Sequence, residues 1–235
     1  MQRASEHVRP ACESANKTLR RMYDRLWSAY GPQYWWPADT PTEVVIGAIL
    51  TQNTAWKNVE RAIANLKRAK CLTWAAIRRT SRTRLATLIQ PSGTYRVKAA
   101  RLKAFVKYLC DHHNGSLASL CGGDLDEARR RLLAINGIGP ETADAILLYA
   151  GKRPTFVVDA YTRRILRRHF VTDSRADYET VRRLFHETFS PQTTKTVRLY
   201  NEYHALLVAV GKRHCRTRAQ CEGCPLVDLP HDSTL

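Results

Sequence analysis

The sequence contains no run of about 18 apolar residues, the length that a helix needs to cross a membrane. The segment MQRASEHVRPACESANK at residues 1–17 has no apolar core, so it does not resemble a secretory signal peptide. These two absences predict a protein without a membrane partner, and a bacterial cytoplasm is the expected location. They leave its activity open.

No stretch alternates apolar and polar residues over more than four positions, as a half-buried strand would. Apolar residues recur instead at helical steps of three and four, and Thr40-Pro41 is a typical helix start before the apolar run VVIGAIL. We therefore predict an all-α protein of one large domain or two lobes. The expected helices cover residues 14–30, 41–50, 55–70, 72–79, 81–89, 97–112, 125–135, 140–151, 160–170, 176–189 and 194–211. The first dozen residues and the tail after Cys224 are expected to be poorly ordered.

Acidic residues are scarce relative to basic ones. The chain has 21 Asp and Glu against 38 Lys and Arg, which gives a formal net charge of +17. Such an excess favours a polyanionic partner, because Lys and Arg bound to phosphates release condensed counterions. A generally basic protein that does not bind nucleic acid is the alternative.

The segment LLAINGIGPETADAILLYAGK, residues 132–152, has the composition of two helices joined by a tight turn. Gly137 and Gly139 can take positive φ and let a phosphate approach the backbone. Pro140 suits the first position of the second helix, where its missing N–H costs nothing. Ile138 can fix the turn to the core. The free amides of this turn predict a phosphodiester site, although a plain interhelical turn would have the same pattern.

Asp159 stands eighteen residues after Glu141, within PTFVVDAYTRRILRR. Together with the hairpin, this spacing resembles the helix-hairpin-helix base-excision glycosylases, the superfamily of endonuclease III and MutY. The resemblance implies a two-lobed fold with a C-terminal cysteine loop, in which residues 33–150 form one lobe and 14–32 with 151–235 form the other. It also implies a catalytic role for Asp159, a partner that is double-stranded DNA with a damaged base, and a monomer associated with the nucleoid.

Asp159 is also the expected N-cap of the helix at residues 160–170. Backbone N–H groups and the helix dipole would then keep the carboxylate ionised. A fixed anion would stabilise the positive charge that develops on the ribose as the base leaves, and it could orient a water for attack. The alternative is a carboxylate that only caps the helix.

Glu141 occupies the position, two residues after the second hairpin glycine, where bifunctional members of the superfamily carry a lysine. That lysine forms a Schiff base with the sugar, which a carboxylate cannot do. We therefore predict a monofunctional enzyme with weak or no AP-lyase activity. Glu141 itself is either a catalytic acid that contacts the substrate or simply a favourable acid in the first turn of its helix.

Roughly residues 20–215 resemble the MagIII-type 3-methyladenine glycosylases. The shared positions are Trp35 to Pro37, Leu50 to Thr54, Trp56, Glu141 to Ala145 and Val157 to Tyr161. N-alkylation makes a purine cationic and a good leaving group, and aromatic faces bind such a cation once the nucleotide is flipped from the duplex. The candidate substrate-pocket residues are Trp35, Trp36, Trp56, Tyr161 and Lys212.

Alternatives remain for these residues and for the substrate. Of Trp35 and Trp36, we expect one to be a pocket wall and the other a core residue, and Trp56 could also belong to the core. A uracil, mismatched-thymine or oxidised-pyrimidine glycosylase of the endonuclease III superfamily is a second interpretation. A DNA-binding module without catalysis is a third, and the position of Asp159 argues against it.

The resemblance also implies residues that contact DNA. Gln52 matches the glutamine that enters the gap left by the flipped base. In PSGTYRVKAARLK, residues 91–103, Tyr95 or Thr94 would be a second side chain inserted into the DNA as a wedge, as Gln52 is. Arg96 and Lys98 would reach phosphates. A simple exposed loop is the alternative there. The expected hairpin contacts are Asn136, Gly137, Ile138, Gly139 and Thr142.

Three of the seven cysteines, Cys215, Cys221 and Cys224, cluster near the C-terminus. In an intracellular chain, such a cluster indicates metal or iron–sulfur ligands before disulfides. The spacing resembles the superfamily's iron–sulfur loop, but the first gap is one residue short and Pro230 occupies the place of the fourth cysteine. A [4Fe–4S] cluster with an incomplete cysteine set is one interpretation, and a Cys₃His zinc site or no metal are the others. The fourth ligand is unknown, with His231 and Asp228 as candidates.

Overall fold

A computed structural model describes residues 14–190 and 194–235 of the chain. Within these residues the regular secondary structure is helical, with one isolated β-bridge between Cys215 and Ala219, so the predicted all-α class is confirmed. None of the described helices is both long and apolar enough to cross a membrane. The expectation for the first dozen residues lies outside the described part of the chain.

The helices follow the predicted order, and their bounds differ from the expected ones by a few residues. They are α1 (Ala15–Tyr30), α2 (Pro41–Leu50), α3 (Trp56–Arg68), α4 (Trp74–Arg79), α5 (Arg82–Leu88), α6 (Tyr95–His113), α7 (Leu117–Cys121), α8 (Leu125–Leu133), α9 (Pro140–Ala145), α10 (Ala160–Arg168), α11 (Tyr178–Phe189) and α12 (Thr194–Arg213). A short 3-10 turn at Gln90–Ser92 precedes α6, and α9 continues as a π-helical turn at Ile146–Ala150. The sequence did not predict α7, because five residues are too few to show a helical period.

The chain forms two compact units. The central unit contains Tyr34–Val157 and Pro191–Asn201, of which residues 194–201 are described in the second range. The terminal unit contains Met1–Gln33, described from residue 14, together with Val158–Ser190 and Glu202–Leu235. The sequence-based lobes assigned residues 151–157 and 191–201 to the terminal part instead. Residues 151–157 and the described residues 194–201 belong to the central unit, where the ring of Phe156 packs edge-on against that of Tyr200 with a centroid distance of 5.4 Å.

The core of the central unit is built around α2. The hydroxyl of Thr40 accepts a hydrogen bond from the N–H of Glu43 at 3.2 Å, and Pro41 starts the helix without an unsatisfied donor. Every residue from Glu43 to Leu50 is buried, so this helix lies inside the unit. It packs against α3, α6 and α9, and its end leads directly into the segment that carries Gln52.

A buried ionic network ties α8 to α9 within the central unit. Arg129 donates from Nε to Oδ1 of Asp144 at 2.9 Å and from Nη2 to Oδ2 at 3.1 Å. The hydroxyl of Thr155 donates to the same Oδ1 at 2.9 Å. Because Asp144 is fully buried, these bonds provide the partners that a carboxylate needs away from water. The network fixes α8 and α9, the two helices on either side of the turn at residues 134–139.

The C-terminal tail packs into the terminal unit. Leu226 and Leu229 are each 1% exposed. The N–H of Asp232 donates to the carbonyl of Arg168 at 2.8 Å, and Nε of Arg168 donates to the carbonyl of Leu235 at 2.6 Å. The expectation of a poorly ordered tail was therefore wrong, because two apolar side chains and these bonds hold it in place.

Candidate functional site

The hairpin consists of α8, the turn at residues 134–139 and α9. Gly137 has a φ of +85°, in the left-handed region, whereas Gly139 is extended with a φ of −92°. A Cβ atom at Gly137 would lie 2.3 Å from Cγ of Arg101, while one at Gly139 would meet no atom within 4 Å. Positive φ is therefore needed only at Gly137, and the backbone beside Gly139 is open to an approaching group.

The hairpin residues predicted to contact DNA differ in exposure. Asn136 and Gly139 are exposed, but Ile138 and Thr142 are only 5% and 6% exposed. The side chains of Ile138 and Thr142 pack inside the central unit, as expected for Ile138, and the DNA contacts of the hairpin residues stay predictions. The N–H of Ile138 donates to the carbonyl of Ile135 at 3.0 Å, so the backbone groups here that suit an anion are the first N–H groups of α9.

The side chain of Gln52 lies against the hairpin. Its Nε2 donates to the carbonyl of Gly137 at 3.2 Å and to the hydroxyl of Thr142 at 2.9 Å. Its Oε1 accepts a hydrogen bond from Nη1 of Arg101. These bonds hold the amide of Gln52 beside the turn, so its predicted entry into a DNA gap requires that they break.

Lys98 does not reach phosphates, contrary to the prediction. The residue is 1% exposed, and its Nζ donates to the carbonyl of Leu50 at 2.8 Å and to that of Ser92 at 2.5 Å. Burial, with a smaller contribution from the nearby Arg101, lowers the pKa of Lys98 to about 8. Lys98 thus joins the end of α2 to the 3-10 turn before α6, because these two buried carbonyls need a donor.

The predicted wedge residues lie at the start of α6. Thr94 is exposed with a φ of +35°, Tyr95 is half-buried, and Arg96 is exposed. The guanidinium of Arg96 lies 5.7 Å from the ring centroid of Tyr95. Thr94 and Arg96 are accessible to a ligand such as DNA, and their roles stay predictions.

The three candidate pocket tryptophans form one aromatic cluster in the central unit. The ring centroid of Trp36 lies 5.4 Å from that of Trp35, 5.1 Å from that of Trp56 and 5.0 Å from that of Tyr149. All three indoles are half-buried, whereas Tyr149 is 2% exposed. The indole of Trp36 packs on α2 at Gly47, where a Cβ atom would lie 3.4 Å from its Cζ2.

A groove of about 510 Å³ opens beside this cluster between α2 and α3. Besides Trp36 and Trp56, its lining includes four ionisable side chains: Asp39, Glu43, Glu60 and Lys67. Lys67 contacts Oδ2 of Asp39 at 2.7 Å and Oε2 of Glu43 at 2.9 Å. Since three carboxylates face one ammonium, the groove carries an excess of negative charge in a basic protein.

Asp159 caps α10 in the terminal unit, as the sequence predicts. Its Oδ1 accepts a hydrogen bond from the N–H of Thr162 at 2.7 Å. Its Oδ2 lies 3.7 Å from Nε2 of His204 on α12. His204 is buried, which lowers its pKa, and the charge of Asp159 opposes this effect. The carboxylate is thus fixed by one hydrogen bond and faces an imidazole with its second oxygen.

Tyr161 and Lys212 lie on α10 and at the end of α12 in the terminal unit. The ring of Tyr161 packs on Gly211, where a Cβ atom would lie 2.4 Å from Cδ1 of the tyrosine. The guanidinium of Arg164 lies 5.1 Å from the centre of the same ring. Lys212 follows Gly211 directly and is exposed. Within this unit, the structure brings Tyr161 close to the segment that carries Lys212.

The cysteine loop follows α12. Cys215, Cys221 and Cys224 line a cavity of about 20 Å³ together with His169, His214 and His231. Arg168 is 4% exposed and donates to Sγ of Cys215 at 3.2 Å and to the carbonyls of Arg216 and Thr217 at 2.6 and 2.7 Å. Arginine bonds therefore organise much of this loop.

The residues of the loop do not fit the four-thiolate cluster that the resemblance implies. A cavity of about 20 Å³ corresponds to about one water molecule. Pro230, at the expected place of the fourth cysteine, offers no side-chain donor. In residues 14–190 and 194–235, no group of three or more His, Cys, Asp or Glu side chains is arranged to hold a metal ion.

Sequence reasoning did not identify Arg101 or His204. Arg101 belongs to a long basic helix, and no local pattern connects it with Gln52 or Gly137. His204 stands in the apolar stretch YHALLVAV and has the sequence signature of a core residue. Both contacts join positions that are more than 40 residues apart in the chain, so no local motif could reveal them.

Comparison with known proteins decides the family. A model of the HhH-GPD superfamily base excision DNA repair proteins matches residues 46–191. A Methanocaldococcus jannaschii protein named as a DNA repair glycosylase is 44% identical over 219 residues, which cover 92% of this chain and 97% of the relative. The chain belongs to the HhH-GPD superfamily. It is a DNA glycosylase of that superfamily, and DNA is its partner.

Solved structures of HhH-GPD proteins share this fold. The 3-methyladenine DNA glycosylase MagIII of Helicobacter pylori, bound to 1,N6-ethenoadenine, has a TM-score of 0.72 and 26% identity, covering 86% of this chain and 98% of that one. An endonuclease III trapped in a covalent DNA intermediate has a TM-score of 0.76 and 21% identity, with coverages of 91% and 94%. At that lower identity, the second likeness concerns the fold alone. Both likenesses agree with the all-α fold.

Proposed function

We propose that this HhH-GPD protein is a monofunctional glycosylase that excises N-alkylated purines, such as 3-methyladenine, from double-stranded DNA. The observation that carries this proposal is the aromatic cluster of Trp35, Trp36, Trp56 and Tyr149. A neutral uracil or thymine needs hydrogen-bond donors to its carbonyls, whereas an alkylated purine is a cation that binds aromatic faces. The likeness to MagIII bound to a modified adenine supports the same substrate class.

The electrostatics of the groove beside the cluster support a cationic guest. Asp39, Glu43 and Glu60 contribute three carboxylates, and Lys67 contributes one ammonium. Nε1 of Trp56 donates to Oε1 of Glu60 at 2.9 Å. The N–H of this indole is therefore satisfied, and the face of its ring can still contact another group. An excess of negative charge beside electron-rich rings attracts a cationic base and repels a bare phosphate.

The mechanism needs no covalent enzyme intermediate. The bond between the sugar C1′ and the alkylated base breaks, and its electron pair leaves with the base, which becomes neutral. Asp159 stabilises the positive charge on the sugar as a fixed anion. It also orients a water whose oxygen bonds to C1′ and whose proton the carboxylate accepts. The product is an abasic site.

Glu141 supports the absence of a strong lyase step. It is exposed in the first turn of α9, at the position where bifunctional members carry their lysine. A carboxylate there cannot attack C1′ to form a Schiff base. We propose that Glu141 contacts the substrate or the water instead, and that the strand stays intact after base release.

The remaining parts of the proposal concern cofactor, assembly and location. The three-cysteine loop serves as a structural, DNA-facing element and takes no part in redox chemistry. The enzyme acts as a monomer in a bacterial cytoplasm. After the nucleotide is flipped, Gln52 and either Thr94 or Tyr95 enter the gap that it leaves in the DNA.

A panel of duplexes tests the proposed substrate. Wild-type protein is incubated with methylated DNA, with a uracil duplex and with a G·T mismatch duplex, and released bases are measured by mass spectrometry. We expect release of 3-methyladenine, with the product strand intact until alkali is added. Trp36→Ala should lower this release, whereas Trp27→Ala, at a tryptophan outside the cluster, serves as the control. Release of uracil or thymine alone would overturn the alkylated-purine proposal.

A further inference from the structure

His204 is the side chain that faces the second oxygen of Asp159. Within the terminal unit, Nε2 of His204 lies 3.7 Å from Oδ2 of Asp159, while Oδ1 already accepts from the N–H of Thr162 at 2.7 Å. The two oxygens of one carboxylate are thus approached from two elements, the first turn of α10 and the body of α12. One oxygen of the carboxylate therefore accepts a hydrogen bond, and the other faces an imidazole nitrogen.

The surroundings of His204 favour a neutral imidazole. The residue is 5% exposed, and burial lowers its pKa because charging an imidazole away from water is costly. In the described part of the chain, Asp159 is the charged group whose field acts on it. A neutral imidazole can donate from only one ring nitrogen. Only the tautomer with hydrogen on Nε2 can donate toward Oδ2; the other would direct a lone pair at the carboxylate.

We propose that His204 is a positioning residue for Asp159, which it holds by donating from Nε2–H to Oδ2. The inference rests on the proposed function in that Asp159 is taken as the catalytic carboxylate. A distance of 3.7 Å is longer than a hydrogen bond, and such contacts in free enzymes often shorten when the substrate binds. His204 transfers no proton, and its hydrogen stays on Nε2 throughout.

This contact would fix the orientation of the Asp159 carboxylate. With Thr162 holding Oδ1 and His204 holding Oδ2, the carboxylate cannot rotate about its Cβ–Cγ bond as the sugar becomes cationic. A carboxylate held by one hydrogen bond alone would spend part of its time misaligned, which lowers the rate of the chemical step. DNA affinity would not change, because His204 is buried away from solvent.

The tautomer of His204 tests the contact without any enzymatic assay. Nitrogen NMR of histidine-labelled wild-type protein at neutral pH reports which ring nitrogen carries the hydrogen, and His204→Gln assigns the signal. We expect a protonated Nε2, and its chemical shift should move in Asp159→Asn. An unprotonated Nε2, or a shift that is the same in both proteins, would overturn the proposal.

Excision kinetics test the positioning role. His204→Leu removes the donor, His204→Gln keeps an N–H at the end of a side chain, and Tyr203→Phe is the matched control. Tyr203 is fully buried on the same helix and donates to the carbonyl of Leu19 at 2.8 Å, so this change removes a buried hydrogen bond away from Asp159. We expect His204→Leu to lower the single-turnover excision rate by about tenfold with unchanged DNA affinity. His204→Gln should recover part of the rate.

The control separates positioning from stability. Tyr203→Phe should lower the melting temperature and keep the wild-type excision rate. A wild-type rate in His204→Leu, or equal rate losses in His204→Leu and Tyr203→Phe, would contradict the positioning role. If wild-type protein releases no base from any duplex, the proposed function fails, and the tautomer of Nε2 still decides whether His204 donates to Asp159.

Discussion

Lys98 is a basic residue in a protein of net charge +17, yet it lies inside the central unit rather than on its surface. Its two hydrogen bonds to the carbonyls of Leu50 and Ser92 explain the position. A neutral amine still has two N–H donors, so both carbonyls keep their partner when the proton leaves. The contribution of Lys98 to folding stability therefore depends on pH through the free-energy cost of burying its charge.

The pKa of Lys98 falls from an ordinary 10.5 to about 8 in the folded protein, so the unfolded chain binds more protons between these values. Folding stability contributed by this group must rise as pH increases from about 8 to 10.5. Relative to Lys98→Met, which does not titrate, the wild-type free energy of unfolding should gain about 3 kcal/mol over that window. Urea unfolding of both proteins at pH 7.5, 9 and 10.5 measures this difference. A difference that stays constant, or shrinks, with rising pH would contradict a buried Lys98.

The two glycines of the hairpin turn, Gly137 and Gly139, differ in backbone conformation and in the space around them. Gly137→Ala places a side chain at a φ of +85° and against Cγ of Arg101, so the arginine must move away from Gln52. We expect a loss of about 1–2 kcal/mol in the free energy of unfolding. Gly139→Ala is the matched control, since its φ of −92° suits any residue and the space around it is open.

Gly139→Ala should instead act on DNA. The added methyl group fills space that an approaching phosphate would use, so DNA affinity should fall while stability stays near that of the wild type. Chemical denaturation and fluorescence anisotropy with a short duplex measure the two quantities. Equal stability losses in both variants would contradict the different conformations of the two glycines.

At the level of elements, local signals predicted the helix starts and failed for contacts between distant segments. The caps at Thr40 and Asp159 could be predicted because the residues that make them lie within a few positions. Lys98 could not, because one lysine in an amphipathic helix looks the same whether it faces solvent or a buried carbonyl. The contacts of Gln52 and His204 likewise depend on how separate helices pack, and α7 was too short for a periodic pattern.

At the scale of the whole molecule, the metal content of the purified protein tests whether the chain folds without a metal in the cysteine loop. The loop is held by Arg168 and by the buried Leu226 and Leu229. We expect protein purified without oxygen to contain far fewer than the about four iron atoms per chain that a [4Fe–4S] cluster requires, and no stoichiometric zinc. Elemental analysis by mass spectrometry and visible absorbance measure this. Stoichiometric iron, or unfolding on treatment with a chelator, would show that other residues complete a metal site.

Base release by Asp159→Asn tests the central claim most directly. This variant keeps a side-chain oxygen that can cap α10 through the N–H of Thr162, but it removes the negative charge. Wild-type protein and the variant are compared for free 3-methyladenine released from methylated duplex DNA at saturating enzyme. We predict release by the wild type and a loss of at least about a hundredfold in the variant, with similar DNA binding. Equal rates of release by the two proteins would contradict a catalytic role for Asp159.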